Sequence, residues 1–202
     1  DYNENIGISF GVTGDVRLIQ KLYANISLLY DRRSFEQEEI ILGFQRVYSE
    51  QTEQRLSMPL MLRYIQPIRN WNVFAGGGYG FHFLVKATGD FLHMPLESEV
   101  PMIDGTPHLA ENVDITKQHE RLTRSWQLTC GIQRPFNKYI FELSFSYERG
   151  LSNLIDEDNR YFVNGLNENF AYVPDDVRVH GYKIGIAIYR NLEYDKSRMV
   201  RR

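Results

Sequence analysis

The sequence predicts an all-β, antiparallel up-and-down transmembrane β-barrel of about eight strands, seven of which are visible in the chain. Three observations lead there. Apolar residues recur with a period of two along most of the chain, the repeat of a strand with one greasy face. The opposite face of each strand is small and polar with few charges, unlike the charged outer face of a soluble sheet. The connections alternate short and long, as in outer-membrane barrels.

The bulk properties are compatible with this reading. The chain has 202 residues, 43% hydrophobic and 13% aromatic, with a net charge of -3, the size of one domain. A pI of about 6.0 offers no basic face for nucleic acid. Cys130 is the only cysteine, so an internal disulfide and a cysteine-built zinc site are excluded. No apolar run reaches the ~18 residues of a spanning helix, a test that strands escape because they alternate.

The first strand sets Ile6, Ile8, Phe10 and Val12 against Gly7, Ser9, Gly11 and Thr13. The second sets Ala24, Ile26, Leu28 and Tyr30 against Tyr23, Asn25, Ser27 and Asp31, with Leu29 breaking the pattern. The third opposes Leu56, Met58, Leu60, Leu62 and Tyr64 to Arg55, Ser57, Pro59, Met61 and Arg63. The fourth runs Val73, Ala75, Gly77, Tyr79, Phe81 and Phe83 against Gly76, Gly78, Gly80 and His82. Trp126, Leu128, Cys130 and Ile132 face away from Gln127, Thr129, Gly131 and Gln133 in the fifth. The sixth separates Phe141, Leu143, Phe145 and Tyr147 from Glu142, Ser144, Ser146 and Glu148, and the seventh Tyr182, Ile184, Ile186 and Ile188 from Lys183, Gly185 and Ala187. Each is about long enough to cross a bilayer when tilted. The apolar sides therefore point to lipid and the polar sides inward.

Short turns fall at 19–21, 66–70 and 134–138, and long polar excursions at 36–54, 86–122 and 152–178. The barrel spans 1–192, followed by a charged tail at 193–202. An even strand number is the rule for closure, so an eighth strand is expected either before the first visible one or, less favoured, at Tyr161 to Val163. Pro59 cannot donate to a ladder, which predicts a bulge or an unpaired position there.

Arg55, Arg63, His82, Gln127, Glu142, Glu148 and Lys183, with Arg124 as a further candidate, form the expected interior polar network. An eight-stranded barrel is just wide enough for side chains to fill, so this network is expected to be packed and non-conducting, with glycines making room for His82, Arg63 and Phe74. Tyr30, Tyr64, Trp71, Trp126, Tyr139, Tyr147, Tyr182 and Tyr189 are the expected interface aromatics. Phe91, Leu92, Met94, Leu96, Met102 and Ile103 are apolar residues in a long excursion and form a candidate partner-docking loop.

No catalytic residue, metal site or cofactor is implied. His82 near Ser57 or Ser144 and Glu142 could resemble a nucleophile with its base, but the group faces inward, away from lipid substrates. His93, His108, His119 and His180, with Glu97, Glu99, Asp104 and Asp114, match no ligand spacing and read as solvated loop residues.

Leu56-Ser57-Met58-Pro59-Leu60-Met61-Leu62-Arg63-Tyr64, a short turn, and Val73-Phe74-Ala75-Gly76-Gly77-Gly78-Tyr79-Gly80 together resemble the PorT-like family of small outer-membrane β-barrels. The likeness extends more loosely over Phe141 to Leu154, with its Gly150-Leu151-Ser152-Asn153 ending, and over Gly181 to Arg190. It implies an eight-stranded barrel in the bacterial outer membrane, in a family tied to protein secretion, with no catalytic residues. The expectation is a non-enzymatic structural or accessory subunit of an envelope complex, with long loops extracellular and short turns and C-terminus periplasmic. Its partners would be outer-membrane lipid, lipopolysaccharide and other envelope proteins. Alternatives are a free-standing small porin or surface-binding barrel, and a soluble ligand-binding β-barrel.

Overall fold

The computed structural model describes residues 2–4, 7–41, 45–95, 108–137, 139–159, 178 and 180–190. Apart from one 3-10 turn at Thr116–Gln118, its regular structure is all strand: β1 Tyr2–Glu4, β2 Ile8–Ile19, β3 Leu22–Ile41, β4 Gln45–Ile68, β5 Trp71–Pro95, β6 His108–Asp114, β7 Leu122–Phe136, β8 Tyr139–Gly150 and β9 His180–Arg190. All pair antiparallel in one sheet ordered β1-β3-β4-β5-β7-β8-β9, with β2 also on β3 and β6 also on β5. The short β1 continues the line of β2 along β3, at Phe35 to Gln37, so it is not the end of a separate strand. That leaves seven spanning positions among the described residues, β2, β3, β4, β5, β7, β8 and β9.

The expected alternation holds along each of them. On β4, Leu56, Leu60, Leu62 and Tyr64 point out and are exposed, while Arg55, Ser57, Arg63 and Ile65 are buried inside. Leu56 to Tyr64 matches the roughly 9–11 residues a tilted strand needs to cross a bilayer. Above Leu56 the outward positions turn polar, with Gln54, Thr52 and Glu50. A bulge marks the same level on β5: Arg55 pairs with Leu84 and Gln54 with Lys86, leaving Val85 unpaired. Outward positions switch there from Phe83 and Val85 to Lys86 and Asp90.

The two ends of the sheet differ. At one, β2–β3 and β4–β5 join through Gln20–Lys21 and Arg69–Asn70, and β8 starts at Tyr139 where β7 ends at Phe136, all tighter than the expected turns. Arg69 and Asn137 take φ of 52° and 54°, the left-handed geometry such turns require. At the other end the described parts of the excursions at 36–54 and 86–122 are largely strand. There β3, β4 and β5 continue past the apolar band and add β6. Val47, Ala87, Phe91 and Ile115 form a separate buried cluster in this upper sheet. Tyr161 to Val163 and the tail at 193–202 lie outside the described residues.

Pro59 is unpaired on its β3 side, without a bulge there. It pairs with Gly80 on the β5 side. The β3 ladder stops at Ile26↔Leu60 and resumes in the same register at Leu29↔Ser57, passing the missing N–H.

The sheet is curled but not closed. β2 and β9 run in the same direction, and no ladder joins them among the described residues. Ile184 and Ile186 on β9 are 80% and 83% exposed against 44% for Leu128 in mid-sheet, the signature of an open edge. Antiparallel closure of this seam requires an odd number of intervening strands.

Candidate functional site

The inward side chains meet in three tiers. In the lowest, nearest the tight turns, Arg63 is the hub. Its Nη2 lies 2.7 Å from Glu142 Oε1, and its Nη1 lies 3.2 Å from Asp15 Oδ2 and 3.0 Å from Tyr189 Oη. The guanidinium stacks 3.8 Å above the Phe74 ring, and Gln133 Nε2 donates to the other Glu142 oxygen at 2.8 Å. Side chains from β2, β4, β5, β7, β8 and β9 thus converge on one cation.

The middle tier inverts this polarity. Glu148 accepts from Lys183 Nζ at 2.6 Å, Arg33 Nη2 at 3.0 Å and Gln127 Nε2 at 3.2 Å. Beside it runs a directed hydrogen-bond chain. The Ser57 hydroxyl donates to Asp31, so His82 donates to Ser57 from Nδ1 (2.7 Å), while its Nε2 lies 2.7 Å from Ser125 Oγ and 3.3 Å from Glu148 Oε1. Ser9 also donates to Asp31, and Gln127 to Ser125 at 3.3 Å. The uppermost tier lies above the apolar band. Arg55 grips Glu53 through Nε and Nη2, both at 2.8 Å, and gives Nη1 to Thr123 at 2.6 Å. His119 closes it from above, with Nδ1 3.1 Å from the Ile115 carbonyl and Nε2 3.5 Å from Glu53. Burial holds His119 below the ordinary imidazole value; burial pushes Glu53 the other way, but Arg55, with His119 and Arg33 adding to it, holds that carboxyl below the usual carboxylate range.

Glycines make room for these groups. A Cβ on Gly80 would stand 2.7 Å from Ser125 Oγ and 2.9 Å from His82 Nε2, and one on Gly131 2.7 Å from Phe74 Cζ. The cap over the lumen is pinned in turn. Ile115 N donates to Ala87 O at 3.1 Å, Glu120 N to Leu154 O at 2.6 Å and Asp156 N to Gln118 O at 2.9 Å. Between cap and tiers, Arg33, Arg55, His82, Ser125 and Glu148 help line a cavity of about 10 Å³, room for one water.

All seven expected interior residues, Arg55, Arg63, His82, Gln127, Glu142, Glu148 and Lys183, point inward. Lys183 is the most open, at 34% exposure beside the seam. Arg124 does not join them; its parity matches Leu122 and Trp126, and it faces outward. The network further contains Asp15, Asp31, Arg33, Glu53 and Tyr189, which the sequence reading left out. Tyr189 is a correction, because it shares the Lys183 face and binds Arg63 inside instead of standing in the outer girdle. Tyr30, Tyr64, Trp71, Trp126, Tyr139, Tyr147 and Tyr182 do lie on the outward face. His119 is buried instead of solvated.

The expected docking loop is also corrected. Phe91, Leu92 and Met94 belong to β5, and Phe91 is fully buried in the upper core. Leu96, Met102 and Ile103 lie outside the described residues. His82 meets Ser57 and Ser125, not Ser144 and Glu142, and Ser125 is 1% exposed.

An apolar outward wall with a polar, ion-paired interior is inside-out relative to a soluble protein, and defines an integral β-barrel of a bilayer. The family model described as the outer membrane protein beta-barrel domain matches residues 1–156, and the chain belongs to that family. No curated protein and no solved structure matches it.

Proposed function

We propose that this outer-membrane barrel is a non-enzymatic structural or accessory subunit of an envelope complex, of the PorT-like kind and linked to protein secretion. The carrying observation is the upper sheet. Two residues suffice to connect strands at the tight end, yet at the other end β3, β4, β5 and β6 build a folded platform around Val47, Ala87, Phe91 and Ile115. A connection alone needs no core; a docking platform does. The three packed tiers support the same reading, since ion pairs and side chains occupy the space a solute would use. On this reading the platform is extracellular, the tight turns are periplasmic, and other envelope proteins are the partners.

The test is purification from outer membranes in mild detergent, followed by native mass measurement and single-channel recording. A discrete complex above 23.8 kDa with partners in fixed ratio, and no conductance from the isolated chain, is expected. A free monomer that conducts ions in planar bilayers would replace the proposal with a porin.

A further inference from the structure

The lipid-facing wall carries two arginines and a histidine in a row, none of them ion-paired among the described residues. On the outward face Tyr79 pairs with Trp126, Trp126 with Arg149, and Arg149 with His180, a continuous rung across β5, β7, β8 and β9. Arg124 stands on the same face two residues above Trp126, opposite Phe81. Arg124, Arg149 and His180 are exposed, and none has an ion-pair partner among the described residues. The backbone under Arg124 is fixed, since Leu151 N donates to its carbonyl at 2.8 Å and its own N–H donates to Ser152 Oγ at 3.0 Å.

Arg124 and Arg149 are diagonal neighbours about 7–8 Å apart, so their guanidinium charges repel unless an anion lies between them, and the His180 imidazole, about 5 Å across the rung from Arg149, can add a hydrogen bond to that anion. Their height settles which anion. One rung below are Tyr147 and Tyr182, paired with each other, then Phe145 and Ile184. On β8 and β9 the apolar wall therefore gives way to the headgroup layer at Arg149 and His180, while on β7 Leu122 still stands above Arg124. At the opposite rim two of the cations have partners in the protein, Arg134 over the Trp71 ring at 5.1 Å and Lys21 on Gln66 at 2.7 Å.

We infer that Arg124, Arg149 and His180 form a binding site for the phosphate groups of an outer-leaflet glycolipid, whose acyl chains lie along Trp126, Tyr147, Tyr182 and Ile184. Guanidinium forks suit phosphate oxygens bidentately, and two arginines at this spacing suit a headgroup with more than one phosphate. The assignment to the outer leaflet rests on the proposed orientation of the platform.

Native mass spectrometry of the full chain in detergent, titrated with bisphosphorylated lipid A and with the same lipid stripped of phosphate, tests the site. The wild type is expected to bind the phosphorylated form at least tenfold more tightly. Arg124→Gln/Arg149→Gln should bring the two within about twofold while keeping heat-modifiable gel migration, and Arg134→Gln/Arg190→Gln should leave the preference intact. No preference in the wild type, equal loss in both double variants, or full displacement by equimolar inorganic phosphate would overturn the site. Orientation is read separately. Glu157→Cys in a Cys130→Ser background should label with an impermeant maleimide on intact cells, and failure there would overturn the outer-leaflet assignment whatever the lipid preference.

Discussion

The lowest and middle tiers solve one problem with opposite signs. Arg63 is a single buried cation held by two carboxylates, Asp15 and Glu142, and the Tyr189 phenol. Glu148 is a single buried carboxylate held by two cations, Arg33 and Lys183, with His82 and Gln127 beside it. The difference lies in what surrounds each hub. Arg63 and Glu142 are both nearly inaccessible, whereas Lys183 keeps a third of its side chain exposed at the seam. A charge that can reach water loses less when its partner is removed. The tight-turn end should therefore be the more brittle half of the barrel interior.

The largest effect is expected from Arg63→Leu, which leaves Asp15 and Glu142 facing each other without a cation. Losing one partner of a buried charged group costs about 3–5 kcal/mol. Adding Glu142→Leu removes one of the stranded charges and should restore part of the loss. Urea midpoints for refolding into lipid bilayers read both, and a double variant as unstable as the sum of its single changes would defeat the idea of a coupled hub.

Glu148→Leu strands Arg33 and Lys183 in the same way, but Lys183 can turn toward water. Its cost should fall near the bottom of that range or below it, about 2–3 kcal/mol. A loss equal to that of Arg63→Leu would erase the distinction between the tiers.

The uppermost tier adds a dependence on pH. His119 is buried against Ile115, Glu53 and Arg55, and its neutral form is favoured in the folded state. The folded value is depressed, so the cap keeps its full stability above the ordinary imidazole value of about 6.5 and loses it as pH falls below. The loss is at most about 1.4 kcal/mol per pH unit for the one proton involved. Proteolytic susceptibility of the 115–120 and 151–156 segments should rise between pH 8 and pH 5, and His119→Gln should flatten that rise.

Strand identity and facing were legible because a period of two needs only side-chain polarity, and seven spanning strands carry it cleanly. The parity that placed Glu142 and Glu148 inside also reaches Asp31 and Arg33 on β3, and Glu53 and Arg55 on β4. Arg33 and Glu53 were missed because polar outward neighbours such as Glu36, Glu50 and Gln54 made these stretches resemble loops. Above the apolar band the outward face meets water, so the alternation no longer contrasts greasy with polar even though the ladder continues. Which carboxylate meets which cation was not legible, since partners such as Arg33 and Glu148 lie 115 positions apart and meet only across the curled sheet.

The smallest test concerns the residue whose side was misjudged. Tyr189 and Tyr182 lie on the same strand with opposite parity, one hydrogen-bonded to Arg63 inside and the other 73% exposed on the wall. Tyr189→Phe removes only a hydroxyl that helps hold a buried cation, worth about 1 kcal/mol and up to the upper figure of about 3 for bonds to charged groups. Tyr182→Phe keeps the ring that packs on Phe145 and Tyr147 and gives up no such bond, so its effect should stay within about 0.5 kcal/mol. The sign of the difference carries the argument. If Tyr182→Phe were the costlier change, the inward face of β9 would be wrongly assigned, and the Arg63 hub would lose its link to the seam.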